Sequence, residues 1–125
     1  MIIGIGIDQC EVGRMQRQIA AADDGFVTSV FLPDEISYCT DKRHPAEHFA
    51  ARFAAKEAAI KSLAAAGGQG TFWHDIAVIR EPDGRPLLAL SGRLRELADG
   101  LGVRTMHVSL THTADLAAAV VIAEG

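Results

Sequence analysis

The sequence predicts a single α+β domain in which an antiparallel sheet packs on one long central helix. Three observations predict it. An Ile-rich apolar run opens the chain from Met1 to Ile7. An Ala-rich stretch from about Ala46 to Ala65 carries helical periodicity. The rest alternates short apolar runs with turn signals and reads as strand, turn, strand, helix and closing hairpin. With 125 residues the chain has the size of one domain, residues 1-125, and can bury one core.

The first run reads as a buried strand. Its period of two puts Ile3, Ile5 and Ile7 on one face and Ile2, Gly4, Gly6 and Asp8 on the other. Glycines inside a strand mark a close approach to the backbone, and Asp8 sits at the end of the face they leave open. Glu11 to Ala22 reads as helix and ends at the turn signal Asp23-Asp24-Gly25. Phe26 to Phe31 is apolar with Thr28 and Ser29 inside it. Pro33 opens a short helix with Asp34 and Glu35 in its first turn, where acids suit the helix dipole. After the polar link from Asp41, Pro45 is placed as a first helical residue. In the long helix Phe49, Phe53, Ile60 and Leu63 form a stripe, and alanines cover much of the remainder. Such a helix is expected to be buried on most sides. Gly67, Gly68 and Gly70 end it in a flexible loop. Asp75 to Arg80 and Leu87 to Leu90 pair across the Pro82-Asp83-Gly84 turn. Ser91 caps a helix to about Asp99, stopped by Gly100 and Gly102. Met106 to Thr111 and Leu116 to Ala123 are the last strands, joined near Thr113 to Asp115.

Composition excludes several classes. The chain is 49% hydrophobic and 22% charged, which argues against disorder, and its net charge of -4 argues against nucleic acid as a partner. Cys10 and Cys39 are far apart and fit free thiols in a reducing compartment, with a single disulfide as the alternative. Asp8 and Glu11 interrupt the N-terminal apolar run, so neither a signal peptide nor a membrane span is expected, and the expected location is cytoplasmic.

The residues that can carry chemistry are Lys56, Glu57 and Lys61 on the long helix, with Asp8 from the first strand. Glu57 and Lys61 are four residues apart and share a helix face. A surface ion pair is the ordinary reading, worth ~0.3–0.5 kcal/mol. Here the helix has little solvated face to hold one. A carboxylate from a strand end and another from a helix form a sparse oxygen site. Mg²⁺ suits such a site, completing its shell with waters and phosphate oxygens. A neighbouring lysine can neutralise phosphate charge. Gly4-Ile5-Gly6 does not continue as a dinucleotide-binding loop. His44-Pro45-Ala46-Glu47-His48 matches H-x-x-E-H and keeps a zinc hydrolase as an alternative. By alternation His107 shares a face with Ser109 and Thr111, and His112 follows Val108 and Leu110 on the other. Each reads as a structural histidine when taken alone.

Three blocks in order resemble the small phosphopantetheinyl transferase family of the holo-acyl carrier protein synthases. Ile5-Gly6-Ile7-Asp8 resembles its G-I-D strand. Arg52-Phe53-Ala54-Ala55-Lys56-Glu57-Ala58-Ala59-Ile60-Lys61 resembles its R-F-A-A-K-E-A-x-x-K helix. His107-Val108-Ser109-Leu110-Thr111-His112-Thr113, followed by Ala117 to Ile122, resembles its H-V-S-x-[ST]-H hairpin. The resemblance implies the phosphopantetheinyl transferase fold and transfer of 4′-phosphopantetheine from coenzyme A to a carrier-protein serine, releasing 3′,5′-ADP. It implies that Asp8 and Glu57 hold Mg²⁺ with the coenzyme A pyrophosphate, and that Lys61 contacts that pyrophosphate. Arg52 and His112 would belong to the 3′-phosphate site, Thr113 to the coenzyme A site, and Gly84, Arg85 and Pro86 to a turn near the adenine. Glu57 or a metal-bound water would take the serine proton. Arg14, Arg17 and Phe26 would dock the acyl carrier protein, helped by apolar contacts from Met15 and Val30. The resemblance further implies a homotrimer with sites between subunits. A catalytically degenerate protein that binds coenzyme A or a carrier is the non-enzyme alternative.

Overall fold

The computed structural model describes residues 1–21, 25–64 and 72–125. The Asp23-Asp24 turn signal and the Gly67, Gly68 and Gly70 loop lie outside the described residues. The elements are β1 (Ile2–Glu11), α1 (Val12–Ala20), α2 (Phe26–Val30), α3 (Pro33–Thr40), α4 (Pro45–Ser62), β2 (Ile76–Arg80), β3 (Pro86–Leu90), α5 (Gly92–Gly100), β4 (Thr105–His112) and β5 (Leu116–Glu124). One antiparallel sheet has the order β1-β5-β4, and β2-β3 form a hairpin of their own.

The central helix lies on the inner face of the three-stranded sheet. What brings it there is small side chains on both sides. Ala54, Ala55, Ala58 and Ala59 of α4 are buried, as are Ala117, Ala119, Val121 and Ala123 of β5. On β1 the approach is closer still. A Cβ at Gly4 would sit 1.8 Å from the Ser62 carbonyl oxygen, and one at Gly6 1.9 Å from that of Ala58. The glycine face is therefore closed by α4, not left open. The N-terminal strand is also buried on this face alone: Ile5 is 61% and Ile7 68% exposed in the single chain. The alternation holds, and among the described residues the isoleucine face is left largely uncovered.

Lys56 leaves the constellation that its sequence neighbours form. It is fully buried, and its Nζ lies 2.7 Å from Glu35 Oε1. The ammonium also donates to the carbonyls of Val30 at 2.8 Å and Trp73 at 3.0 Å. Glu35 in turn accepts from the amides of Leu32 and Val78, both at 2.8 Å. Both charges are thus paired and hydrogen-bonded, the condition for keeping charges in a core. This clasp ties α2, α3, β2 and the turn before β2 to the middle of α4. At α5, Ser91 holds the N-cap position without a side-chain cap bond. Asp75 does the capping, accepting from the Leu94 amide at 3.1 Å. Cys10 and Cys39 are both free and buried, and burial pushes the Cys39 thiol up to about 11. Among the described residues no helix is long and apolar enough to cross a membrane.

Candidate active site

Asp8 and Glu57 come together where β1 crosses α4. The register pairs Asp8 with Ala119 of β5, which turns it to the face that α4 covers. Lys61, one helical turn beyond Glu57, reaches back to β1. Its Nζ donates to Asp8 Oδ1 at 2.8 Å and to the Ile7 carbonyl at 3.2 Å. The Glu57 carboxyl is pushed up, first by burial and then by the Asp8 charge. Lys61 and a contact from the Trp73 indole N–H only partly offset this. That indole nitrogen makes no full hydrogen bond among the described residues. The result is a carboxylate pair with one lysine on Asp8, in the lining of a cleft.

The cleft encloses about 410 Å³, and Asp8, Glu57, Arg14, Phe26 and Phe53 are in its wall. Its apolar side is an aromatic cluster. Phe26 and Phe53 have ring centroids 5.9 Å apart, and Trp73 lies 5.7 Å from Phe53. Two of the expected docking residues, Arg14 and Phe26, therefore share one wall with the carboxylate pair, while Arg17 stands exposed on α1 outside it. Met15 also lines the cleft, although it is only 2% exposed. Val30 does not contribute to this surface: it is 0% exposed and belongs to the core. Short apolar helices hide which of their faces is inward, and that defeated the sequence reading.

A second cluster forms on another side of α4. Arg52 is 1% exposed, yet its Nε and Nη1 have no hydrogen-bond partner among the described residues. Its guanidinium stacks on Tyr38 at 4.0 Å from the ring centroid. Lys42 lies over the same ring at 4.4 Å. Burial raises the Tyr38 hydroxyl, but Arg52, Arg80 and Lys42 together lower it by more, and the net shift is downward. His48 fills the space between Tyr38 and His112, with ring centroids 6.0 and 5.2 Å away. His112 Nδ1 meets Glu47 Oε1 at 3.1 Å. Buried guanidinium nitrogens left without acceptors make a binding position for an anion. Tyr38 and Lys42 were missed by sequence reasoning, and His48 entered it only through the H-x-x-E-H pattern, since nothing in their spacing points to a shared pocket.

The remaining expected residues sit at turns. Gly84, in the left-handed region with φ 91, makes the tight β2–β3 turn possible. Arg85 closes it with an Nε bond to Asp83 at 2.9 Å, and Pro86 opens β3. The Thr113 hydroxyl accepts from the amides of Asp115 and Leu116, fixing the β4–β5 turn beside His112. His107 instead pairs with Glu124 at 2.9 Å on the outer sheet face. The H-x-x-E-H segment does not build a zinc site: Glu47 and His48 turn to His112, and no group of three metal-ligating side chains occurs among the described residues.

Residues 4–121 match the 4′-phosphopantetheinyl transferase superfamily. The chain belongs to that superfamily. It is similar to the holo-[acyl-carrier-protein] synthase of Koribacter versatilis, with 46% identity over 99% of each chain. The holo-[acyl-carrier-protein] synthase of Syntrophus aciditrophicus is 45% identical over the whole of this chain and 98% of its own. In structure it is similar to the Helicobacter pylori holo-[acyl-carrier-protein] synthase in complex with coenzyme A. That likeness has a TM-score of 0.83 and 31% identity, covering 96% of this chain and 99% of that one. The Mycobacterium tuberculosis acyl carrier protein synthase matches with a TM-score of 0.74 and 36% identity, covering 100% and 99%. The phosphopantetheinyl transferase fold expected from the three sequence blocks is thus the observed one.

Proposed function

We propose that this phosphopantetheinyl transferase moves 4′-phosphopantetheine from coenzyme A to a serine of an apo-acyl carrier protein and releases 3′,5′-ADP. The observation that carries the reading is the Asp8–Glu57–Lys61 group beside a cleft whose lining also includes Arg14 and Phe26. The full-length likeness to holo-[acyl-carrier-protein] synthases supplies the substrates.

The carboxylate pair fits Mg²⁺. Asp8 and Glu57 repel one another across an open cleft, and a hard cation with few protein ligands relieves that repulsion. When bound, the ion neutralises the pyrophosphate and the charge that grows on the leaving phosphate. Lys61 is 56% exposed and free to move from Asp8 to a pyrophosphate oxygen. The raised Glu57 carboxylate accepts the proton from the carrier serine, a task that a carboxylate shifted towards neutrality does well. The serine oxygen forms a bond to the phosphorus bearing pantetheine while the bridging oxygen leaves with 3′,5′-ADP. Positioning and charge neutralisation supply most of the rate. Arg52 and His112 take the 3′-phosphate, Thr113 belongs to the coenzyme A site, and Gly84, Arg85 and Pro86 lie towards the adenine. Arg14, Arg17 and Phe26 receive the carrier, whose serine must enter the cleft beside Glu57.

The working form is a homotrimer in the cytoplasm, with each site shared between copies. Arg52 and Glu57 are five positions apart, about 140° around a helix, so one chain turns them to different sides. A coenzyme A molecule touching both kinds of residue needs a second copy. The exposed face of Ile5 and Ile7, continued by Val120 and Ile122, offers the apolar contact. Incubation with coenzyme A, Mg²⁺ and apo-carrier should add the mass of one arm to the carrier. Binding of coenzyme A with no gain on any apo-carrier would favour the degenerate binding protein instead.

A further inference from the structure

The H-x-x-E-H segment holds a residue that the transfer reaction has not absorbed. His48 stands between the rings of Tyr38 and His112, beside an Arg52 whose Nε and Nη1 lack partners. We propose that His48 is a proton-linked phosphate-recognition residue, which takes up a proton when a ligand's phosphomonoester enters the Arg52 pocket. The inference rests on the coenzyme A reading above and deepens it. It names the residue through which the pocket separates coenzyme A from its 3′-dephospho form.

The surroundings of His48 set the sign. Tyr38 of α3 and His112 of β4 flank the ring, Lys42 follows α3, and Glu47 and Arg52 share α4 with it. In the free protein the charged imidazole is disfavoured, first by burial and then by His112, Arg52 and Lys42. Glu47 offsets this only in part, and its carboxylate is also held by His112 Nδ1 at 3.1 Å. The pocket therefore already carries positive charge, and His48 is held below its ordinary value. A phosphate dianion reverses the balance. It accepts from the open Arg52 nitrogens, neutralises the cations that repel the imidazolium, and favours a charged His48. Binding then draws a proton from solvent. Affinity for the phosphomonoester rises as pH falls through the His48 value in the complex. It levels off below the lower value of the free protein.

The experiment is calorimetric titration of the full chain with coenzyme A and with dephospho-coenzyme A. It is run in buffers of different ionisation enthalpy, at about pH 6 and about pH 8. The wild type should take up protons with coenzyme A and fewer with the dephospho form. His48→Gln keeps a polar side chain but cannot gain charge. It should lower proton uptake and weaken coenzyme A about tenfold near pH 6, with a smaller loss near pH 8. Its affinity for dephospho-coenzyme A should be unchanged, which also shows that the variant is folded. Unchanged proton uptake in His48→Gln would overturn the proposal, as would an equal loss of both ligands. Failure of the wild type to bind either ligand would overturn the coenzyme A reading as well.

Discussion

Glu57 is costly to the free protein as a carboxylate, because burial and Asp8 push it the same way. Its pKa is raised in the folded state. Its contribution to stability is therefore fully present below its unfolded value and is lost as pH rises through the folded one. Glu57→Gln should accordingly melt at a higher temperature than the wild type at neutral pH, while transfer falls ~100-fold or more. Thermal denaturation and initial rates on the same preparation check both halves. A less stable but active variant would remove Glu57 from the role given to it. Part of this site was legible from spacing: Glu57 and Lys61 share a face because four residues make about one turn. That Lys61 reaches Asp8 was not, since 53 positions separate them and only the β1–α4 crossing joins them. Nor could sequence show that Arg52 is buried with open donors, because burial of a charge depends on what surrounds it.

At the scale of the element, α4 was legible almost to its ends. Pro45 starts it as expected, and its alanines are buried as the sequence implied. Periodicity is a local property, and it survives folding. The clasp of Lys56 and Glu35 is not local: it joins two helices through their charged residues. Placed beside Glu57 in the chain, Lys56 looked like part of the chemistry. Glu35→Ala should leave a buried ammonium unpaired and the Leu32 and Val78 amides without acceptors. The expected loss is about 3–5 kcal/mol, read from urea unfolding. A loss below about 1 kcal/mol would mean that water replaces the carboxylate. The glycines of β1 show the same limit. Their spacing announced a close approach, but only the fold reveals that the approaching group is the backbone of α4.

At the scale of the molecule, the outer face of the β1-β5-β4 sheet is the feature still to be covered. Ile5 and Ile7 lie on it, opposite Ile122 and Val120. On the proposed assembly, Ile7→Glu should convert a trimer to monomers in sedimentation velocity and abolish transfer, since each proposed site takes residues from a neighbour. Full activity from a monomeric Ile7→Glu protein would place the complete site within one chain. The number of copies was implied by resemblance alone. The isoleucine face was legible as a face, but not what it meets. The central claim is the transfer itself, and it is tested most directly by counting both products of one reaction. Carrier mass is followed by mass spectrometry and 3′,5′-ADP by chromatography, with coenzyme A, Mg²⁺ and apo-acyl carrier protein present. The account predicts one 3′,5′-ADP for each phosphopantetheine arm gained. A folded, coenzyme A-binding protein that yields neither product with any apo-carrier would contradict it.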